Sequence, residues 1–350
     1  MNTPTVFEEL IRKFAELSNE TATQDLTNEN GSFIGGRDTF FRFGGGLTNN
    51  GEIGLSVGVH DILGSIDNTI NGRVMVAGQS TATFYGDMTN DGDIFTGQGS
   101  QSVFLGDVTG SGNFPGTGTV EFAGAVSPGS SPGAVHFGGY VMLGSGSTTV
   151  IELGGLTAGT QHDQLDVAGT AYLDGTLDLL PLAHYIDPAT RGTADDFTII
   201  TAGQRSGTFS TVQYDGSTLA TDFGPDVNGS FRSHQGSGMF RNITYTSTTV
   251  QLQNLLALDG DVDGDKDVDI TDFNSLASNF DPDGAAAPHS WLKGNFDGDD
   301  DIDITDFNFL ASNFASDGYG ASAVPEPSSF ILCVFGIVAV SRFVSRREVG

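Results

Sequence analysis

TATFYGDMTNDGDI (81–94) realigns twenty residues later as QSVFLGDVTGSGNF (101–114), and the earlier LTNNGEI (47–53) matches MTNDGDI (88–94). A glycine followed by a polar and then an apolar residue recurs at Gly51, Gly72, Gly92 and Gly112, at spacings of 21, 20 and 20. A β-rich unit this short cannot bury a face by itself. Stacked copies share one continuous core, so the period predicts coils of a right-handed parallel β-helix. Val74, Ile94 and Phe114 then fall in one column along that core.

Composition agrees with short strands and many turns. The 350 residues include 50 glycines, about twice average usage, with no collagen period. Formal net charge is −30, from 44 acids against 14 bases, which speaks against nucleic acid as a partner because phosphate binding needs basic patches. The one cysteine, Cys333, sits in an apolar run, so there is no disulfide framework.

Outward from the repeat, AVSPGSSPGAVHFGGYVMLGSGSTTVIELGGLTAGTQHDQLDVAGTAYLDGTLDLLPL (125–182) resembles the autotransporter-like passenger repeat of bacterial surface proteins. The SPGSSPG, IELGG and HDQLDVAGTAYLDGTLDL segments carry the resemblance, and it again implies a β-helix. From about 183 the twenty-residue period fails. Strand-like runs (FTIITA, GTFSTV, TTVQLQNL) persist, so 183–256 reads as a β-rich cap that closes a 31–182 solenoid, with 1–30 as an N-terminal segment.

Charge is concentrated further on. Between Asp259 and Asp317 stand sixteen acids and two lysines. Within this stretch, DVDGDKDVDITD (261–272) and NFDGDDDIDITD (295–306) each place oxygen-bearing side chains at loop positions 1, 3, 5, 9 and 12. One loop wraps a hard cation such as Ca²⁺ with that spacing. The loops share a register, and each leads into a near-identical segment, FNSLASNF (273–280) and FNFLASNF (307–314). An acidic solvated tail would not repeat in that way.

The loop pair, preceded by Gly260 and Gly294, resembles a type I dockerin over 257–317. The resemblance implies a small all-α module of two loop–helix units holding two Ca²⁺ ions. The ligands it implies are Asp261, Asp263, Asp265, Asp269 and Asp272, and Asn295, Asp297, Asp299, Asp303 and Asp306. Asp267 and Asp301 at position 7 would give backbone carbonyls, and Val268 and Ile302 at position 8 would plug the core. Position 6, usually glycine, is Lys266 in one loop and Asp300 in the other, and both are expected to take a left-handed conformation costing about 1 kcal/mol each. Asn295 at position 1 removes one charge, which makes the second loop the weaker site. The 281–294 linker is longer than in compact family members. In that family the calcium-loaded module plugs into a cohesin. Positions 10 and 11 often face that partner, here Ile270, Thr271, Ile304 and Thr305. Two readings stay open for the module: docking onto a cohesin-like protein, or an internal calcium-stabilised cap in which Ile270 and Ile304 are core.

The C-terminal VPEPSS (324–329), the apolar FILCVFGIVAV (330–340) and the basic SRFVSRREVG (341–350) resemble a PEP-CTERM sorting signal. Pro325, Glu326 and Pro327 match its motif, and Arg342, Arg346 and Arg347 its basic end. That family implies export, an inner-membrane segment over the 318–350 tail and processing by an exosortase. Such export normally needs an N-terminal signal peptide. MNTPTVFEELIRKFAELSNE has no apolar core and reads as a short amphipathic helix, and the expectation is a misplaced start or a truncated gene.

Solenoids of this kind also occur among carbohydrate-active enzymes. Asp87 and Asp107 fall in equivalent places in adjacent coils, about 4.8 Å apart, and carboxylate pairs can hydrolyse glycosides. Both follow glycine in a repeated GD(M/V)T turn, however, and Val74 through Thr190 holds no lysine or arginine. His60–Asp61 and His162–Asp163 read as polar turns. The expectation is a non-enzymatic, exported cell-surface structural or adhesion-type protein, with extracellular polysaccharide as a further partner. The alternative is a β-helical carbohydrate-active or polysaccharide-binding protein carried by a dockerin.

Overall fold

The computed structural model describes residues 25–129 and 132–319. The plan is visible in one coil. Met88–Asn90, Asp93–Thr96 and Gln101–Phe104 are three short strands separated by turns. Each pairs in parallel with the coil before it, Met88 opposite Ile66, Ile94 opposite Val74 and Gln101 opposite Thr81. Repeated along the chain, this builds three faces whose strands pair mainly in parallel. The first holds ten strands from Leu26–Asn28 onward, the second holds four from Phe33–Gly36 to Asp93–Thr96, and the third holds twelve, beginning at Phe40–Arg42. The protein is thus mainly β and built as a parallel stack.

Alternation sets what points inward. Val74 and Ile94 are wholly buried and Phe114 nearly so. Phe84, Phe104 and Phe122 stack at centroid separations of 4.9 and 5.4 Å, as coil follows coil in register. On the first face an asparagine ladder replaces apolar residues. Asn28, Asn49 and Asn68 each donate Nδ2 to the Oδ1 of the asparagine in the next coil, Asn49, Asn68 and Asn90, at 2.7 Å. The ladder stops at Asn90, whose Nδ2 has no partner, because the next coil carries Gly110 there.

The recurring glycine has a steric cause. A Cβ on Gly72 would lie 2.2 Å from the carbonyl oxygen of Asn49, and on Gly92 or Gly112 it would lie 2.1 Å from that of Gly72 or Gly92. The turns of successive coils touch backbone to backbone at this column, and only hydrogen fits.

Parallel pairing runs on past residue 182. First-face strands begin at Thr148, Thr176 and Thr211, so the later coils lengthen and the twenty-residue period dissolves while the stack continues. The third face then changes sense. Thr193–Gly207 pairs antiparallel with Thr249–Leu256, followed by Met239–Tyr245 and Phe231–His234.

A second core lies against this antiparallel end. Phe240, Leu255 and Ala257 from the strands join Val262, Val268, Leu276, Trp291, Phe296, Ile302 and Leu310. Helices α1 (Ile270–Ser278) and α2 (Ile304–Ser312) start alike. Asp269 and Asp303 cap them, and Asp272 and Asp306 return a bond to the cap backbone, a reciprocal box that satisfies orphan N–H groups. Among the described residues no helix is long and apolar enough to cross a membrane. The expected N-terminal helix and the sorting residues Pro325, Glu326, Pro327, Arg342, Arg346 and Arg347, with their apolar run, lie outside the described residues.

Candidate metal centre

Each acidic loop is closed by the carboxylate at its twelfth position. Asp272 accepts from Val262 N through Oδ1 (2.7 Å) and from Asp269 N through Oδ2 (2.8 Å). Asp306 repeats this with Phe296 N (2.7 Å) and Asp303 N (3.0 Å). One buried side chain thereby ties the loop entrance to the first turn of the helix. At position 1, Asp261 Oδ1 accepts from Gly264 N (2.6 Å), and its Oδ2 accepts from Lys266 N (3.2 Å) and the Tyr319 hydroxyl (2.7 Å).

Carboxylate oxygens converge in three groups among the described residues, Asp261–Asp263–Asp265, Asp267–Asp269–Asp272 and Asp301–Asp303–Asp306, with the oxygens of each group within 4.8 Å of one another. The first loop therefore carries two groups of three acids and the second carries one. Exposed Asp297 and Asp299 stand outside the second loop's group, and buried Asn295 at position 1 brings an amide in place of a carboxylate. The donor set is all oxygen, which suits a hard cation. Asp263, Asp267 and Asp301 each keep a buried Oδ1 without a hydrogen-bond partner, so oxygens are free to ligate. At position 7 the side chains of Asp267 and Asp301 join their groups, where the family pattern implies the carbonyl alone.

Burial sets the electrostatics. It pushes Asp261 and Asp272 up to about 7, and Asp263 up to about 6 despite the nearby Arg232 guanidinium. Asp267, Asp297 and Asp301 are also raised, first by desolvation and then by neighbouring carboxylates. Crowded, half-dry carboxylates of this kind gain from any cation that neutralises them.

The expected left-handed turn at position 6 holds in the first loop only. Lys266 has φ 73°, whereas Asp300 stays out of that region, and in both loops Gly264 and Gly298 at position 4 are left-handed. Position 1 supplies the reason. Asp261 offers a second oxygen that draws in Lys266 N, while Asn295 offers an amide Nδ2 that donates instead to Asp299 O (2.6 Å). Residue 300 has no matching acceptor to curl toward. Val268 and Ile302 are wholly buried, and each bridges the residue just beyond the other unit's helix, Ala315 and Asp281.

Several contributors had no signal in the loop pattern. Trp291, in a 3₁₀ turn (Trp291–Lys293) of the linker, donates Nε1 to Asp261 O (2.7 Å) and packs on Phe296. Arg191 lies over its ring and pairs with Asp259 at 2.9 Å. Arg232 reaches from the antiparallel sheet to Asp263 at 3.0 Å. Tyr319 falls just past the expected module boundary. The sole tryptophan in a long linker was the one available hint.

Ile270 and Ile304 are not core: they are 61% and 60% exposed at the first turns of α1 and α2, beside exposed Thr271 and Thr305. The other carboxylate and histidine pairs serve the scaffold. Asp87 Oδ1 accepts from Asp107 N, and Asp107 Oδ1 from Ala125 N, linking coil to coil. Buried His60 contacts Thr39. Asp163, pushed up to about 7 by burial, accepts from the N–H groups of Gly133 and Glu152.

No protein-family model matches the chain, and no curated protein matches it.

Proposed function

We propose that this chain is an exported, cell-surface solenoid of right-handed sense whose residues 257–317 act as a calcium-dependent, dockerin-like assembly module binding two Ca²⁺ ions. Its tail directs sorting through an exosortase-type enzyme. The observation that carries the reading is the doubled face: two loop–helix units in one register, each presenting an exposed Ile–Thr pair beside a convergent carboxylate group. Cation binding removes the repulsion among the loop acids, the α1 and α2 starts become fixed, and a pseudo-symmetric surface forms for a cohesin-like partner. The role is non-catalytic.

An internal clamp is the second reading, favoured by the core that the module shares with Phe240, Leu255 and Ala257. The two readings divide on one experiment. The full chain is immobilised and exposed to a surface-protein extract in calcium and in chelator, beside the Ile270→Arg, Ile304→Arg double variant. A protein retained only in calcium and lost from the variant supports docking. Retention of nothing by a folded, calcium-loaded chain overturns docking and leaves the clamp.

A further inference from the structure

The antiparallel end of the third sheet carries a polar row on its outer side. Arg232 stands opposite Asn242, Asn242 opposite Gln253, and Gln253 opposite Asp196, across four strands. Asn242 Nδ2 donates to Gln253 Oε1 (3.1 Å), and Gln253 Nε2 donates to Asp196 Oδ1 (2.5 Å). A second row beside it sets Thr244 opposite Gln251 and Gln251 opposite Thr198. All of these residues but Thr198 line a cleft of ≈ 340 Å³, within the range of small-ligand sites. Phe223 and Phe231 also line it, as do Gly264 and Asp265 of the first acidic loop.

The lining has a chemical bias. Amides and the Ser230 and Thr244 hydroxyls offer donors and acceptors side by side, and two phenylalanines offer apolar surface. Arg232 pairs with Asp263 through Nη2 and lies 5.6 Å from the Phe223 ring centroid, while its buried Nε has no hydrogen-bond partner. Asp196, Asp226 and Asp265 add negative charge, which repels anions. Asn242 is 8% exposed, and its Oδ1 has no partner, although its Nδ2 bonds both Gln253 and Gly264 O. A buried amide with an unused acceptor beside a polar cleft asks for a hydroxyl donor.

We propose that this cleft binds a neutral saccharide unit, with Asn242, Thr244, Gln251, Gln253 and Asp196 addressing its hydroxyls and Phe231 its apolar edge. The site is separate from the Ile270/Ile304 face and does not depend on docking there.

The test is calorimetry on the full chain in calcium buffer against neutral hexaoses of glucose, xylose, mannose and arabinose, with hexagalacturonate as the anionic probe. At least one neutral hexaose binds. Gln253→Leu weakens it at least tenfold with an unchanged melting temperature, and Thr244→Val, at an exposed position, weakens it several-fold should Gln253→Leu fail to fold. The proposal is overturned if no neutral hexaose binds, if the folded variants bind as tightly as the parent, or if hexagalacturonate binds more tightly than every neutral sugar.

Discussion

Asp261 shows how much one side chain does in the acidic loops. It is wholly buried, it holds three donors, and it sits in the first carboxylate group. Asp261→Ala should therefore lower calcium affinity at least about tenfold, the scale of losses seen even for supporting residues. Asp297→Ala, at an exposed position outside its loop's group, should lower it less. Equal calorimetric affinities in parent and both variants would remove these residues from the ligand set. The same carboxylates fix a pH dependence. Asp261, Asp272 and Asp263 bind protons more tightly folded and metal-free, at about 7, 7 and 6, than in an unfolded chain, at about 3.9. Their contribution to stability is fully present below about 3.9 and is lost as pH rises through 6 to 7. In chelator the module should melt at higher temperature at pH 5 than at pH 8. Saturating calcium should shrink or invert that difference, because the cation favours the ionised forms. A thermal scan showing no pH effect in chelator would contradict this.

At the level of the element, the coil turn is the sensitive part. Gly92→Ala would place a methyl group 2.1 Å from Gly72 O, and backbone cannot swing aside as a side chain does. The expected cost is about 1–3 kcal/mol, read as a melting-temperature drop of several degrees. Gly146→Ala is the control, since its nearest neighbour would be Ala123 O at 3.8 Å; equal drops in both would mean that the turn column has slack. The glycine positions were legible in the sequence because identical contacts recur in every coil. The asparagine ladder rests on the same periodicity, yet LTN, IDN and MTN read alone as strand ends rather than as buried amide chains. The helix starts were legible too, through the DITDF repeat that carries cap and box together.

Across the whole molecule, the acidic module is built into the end of the parallel stack. Trp291, the only tryptophan, joins the loop backbone at Asp261 to the sheet residue Phe240 within one core. Intrinsic tryptophan fluorescence therefore reports on this junction alone. Calcium should shift it saturably and chelator should reverse the shift, while a spectrum indifferent to calcium would separate the loops from the junction. Arg191→Ala, which removes the guanidinium over the Trp291 ring and its pair with Asp259, should lower the melting temperature of this end. The cost is about 1–2 kcal/mol for the cation–π contact and a partly buried pair.

The sequence by itself determined the local rules. A twenty-residue period demands stacking, alternation decides which residues face inward, and the spacing of twelve-residue loops decides which oxygens can meet. These are properties of neighbours along the chain, repeated often enough to be seen. Only the tertiary structure decided what depends on residues far apart in sequence. It carried the stack past residue 182 through coils too unequal to show a period, and reversed strand sense at the end. It set the two look-alike loops apart at position 6, where Lys266 turns left-handed and Asp300 does not. It also brought Arg232, Trp291 and Tyr319 to the first loop, since contacts across tens of residues leave no spacing to read.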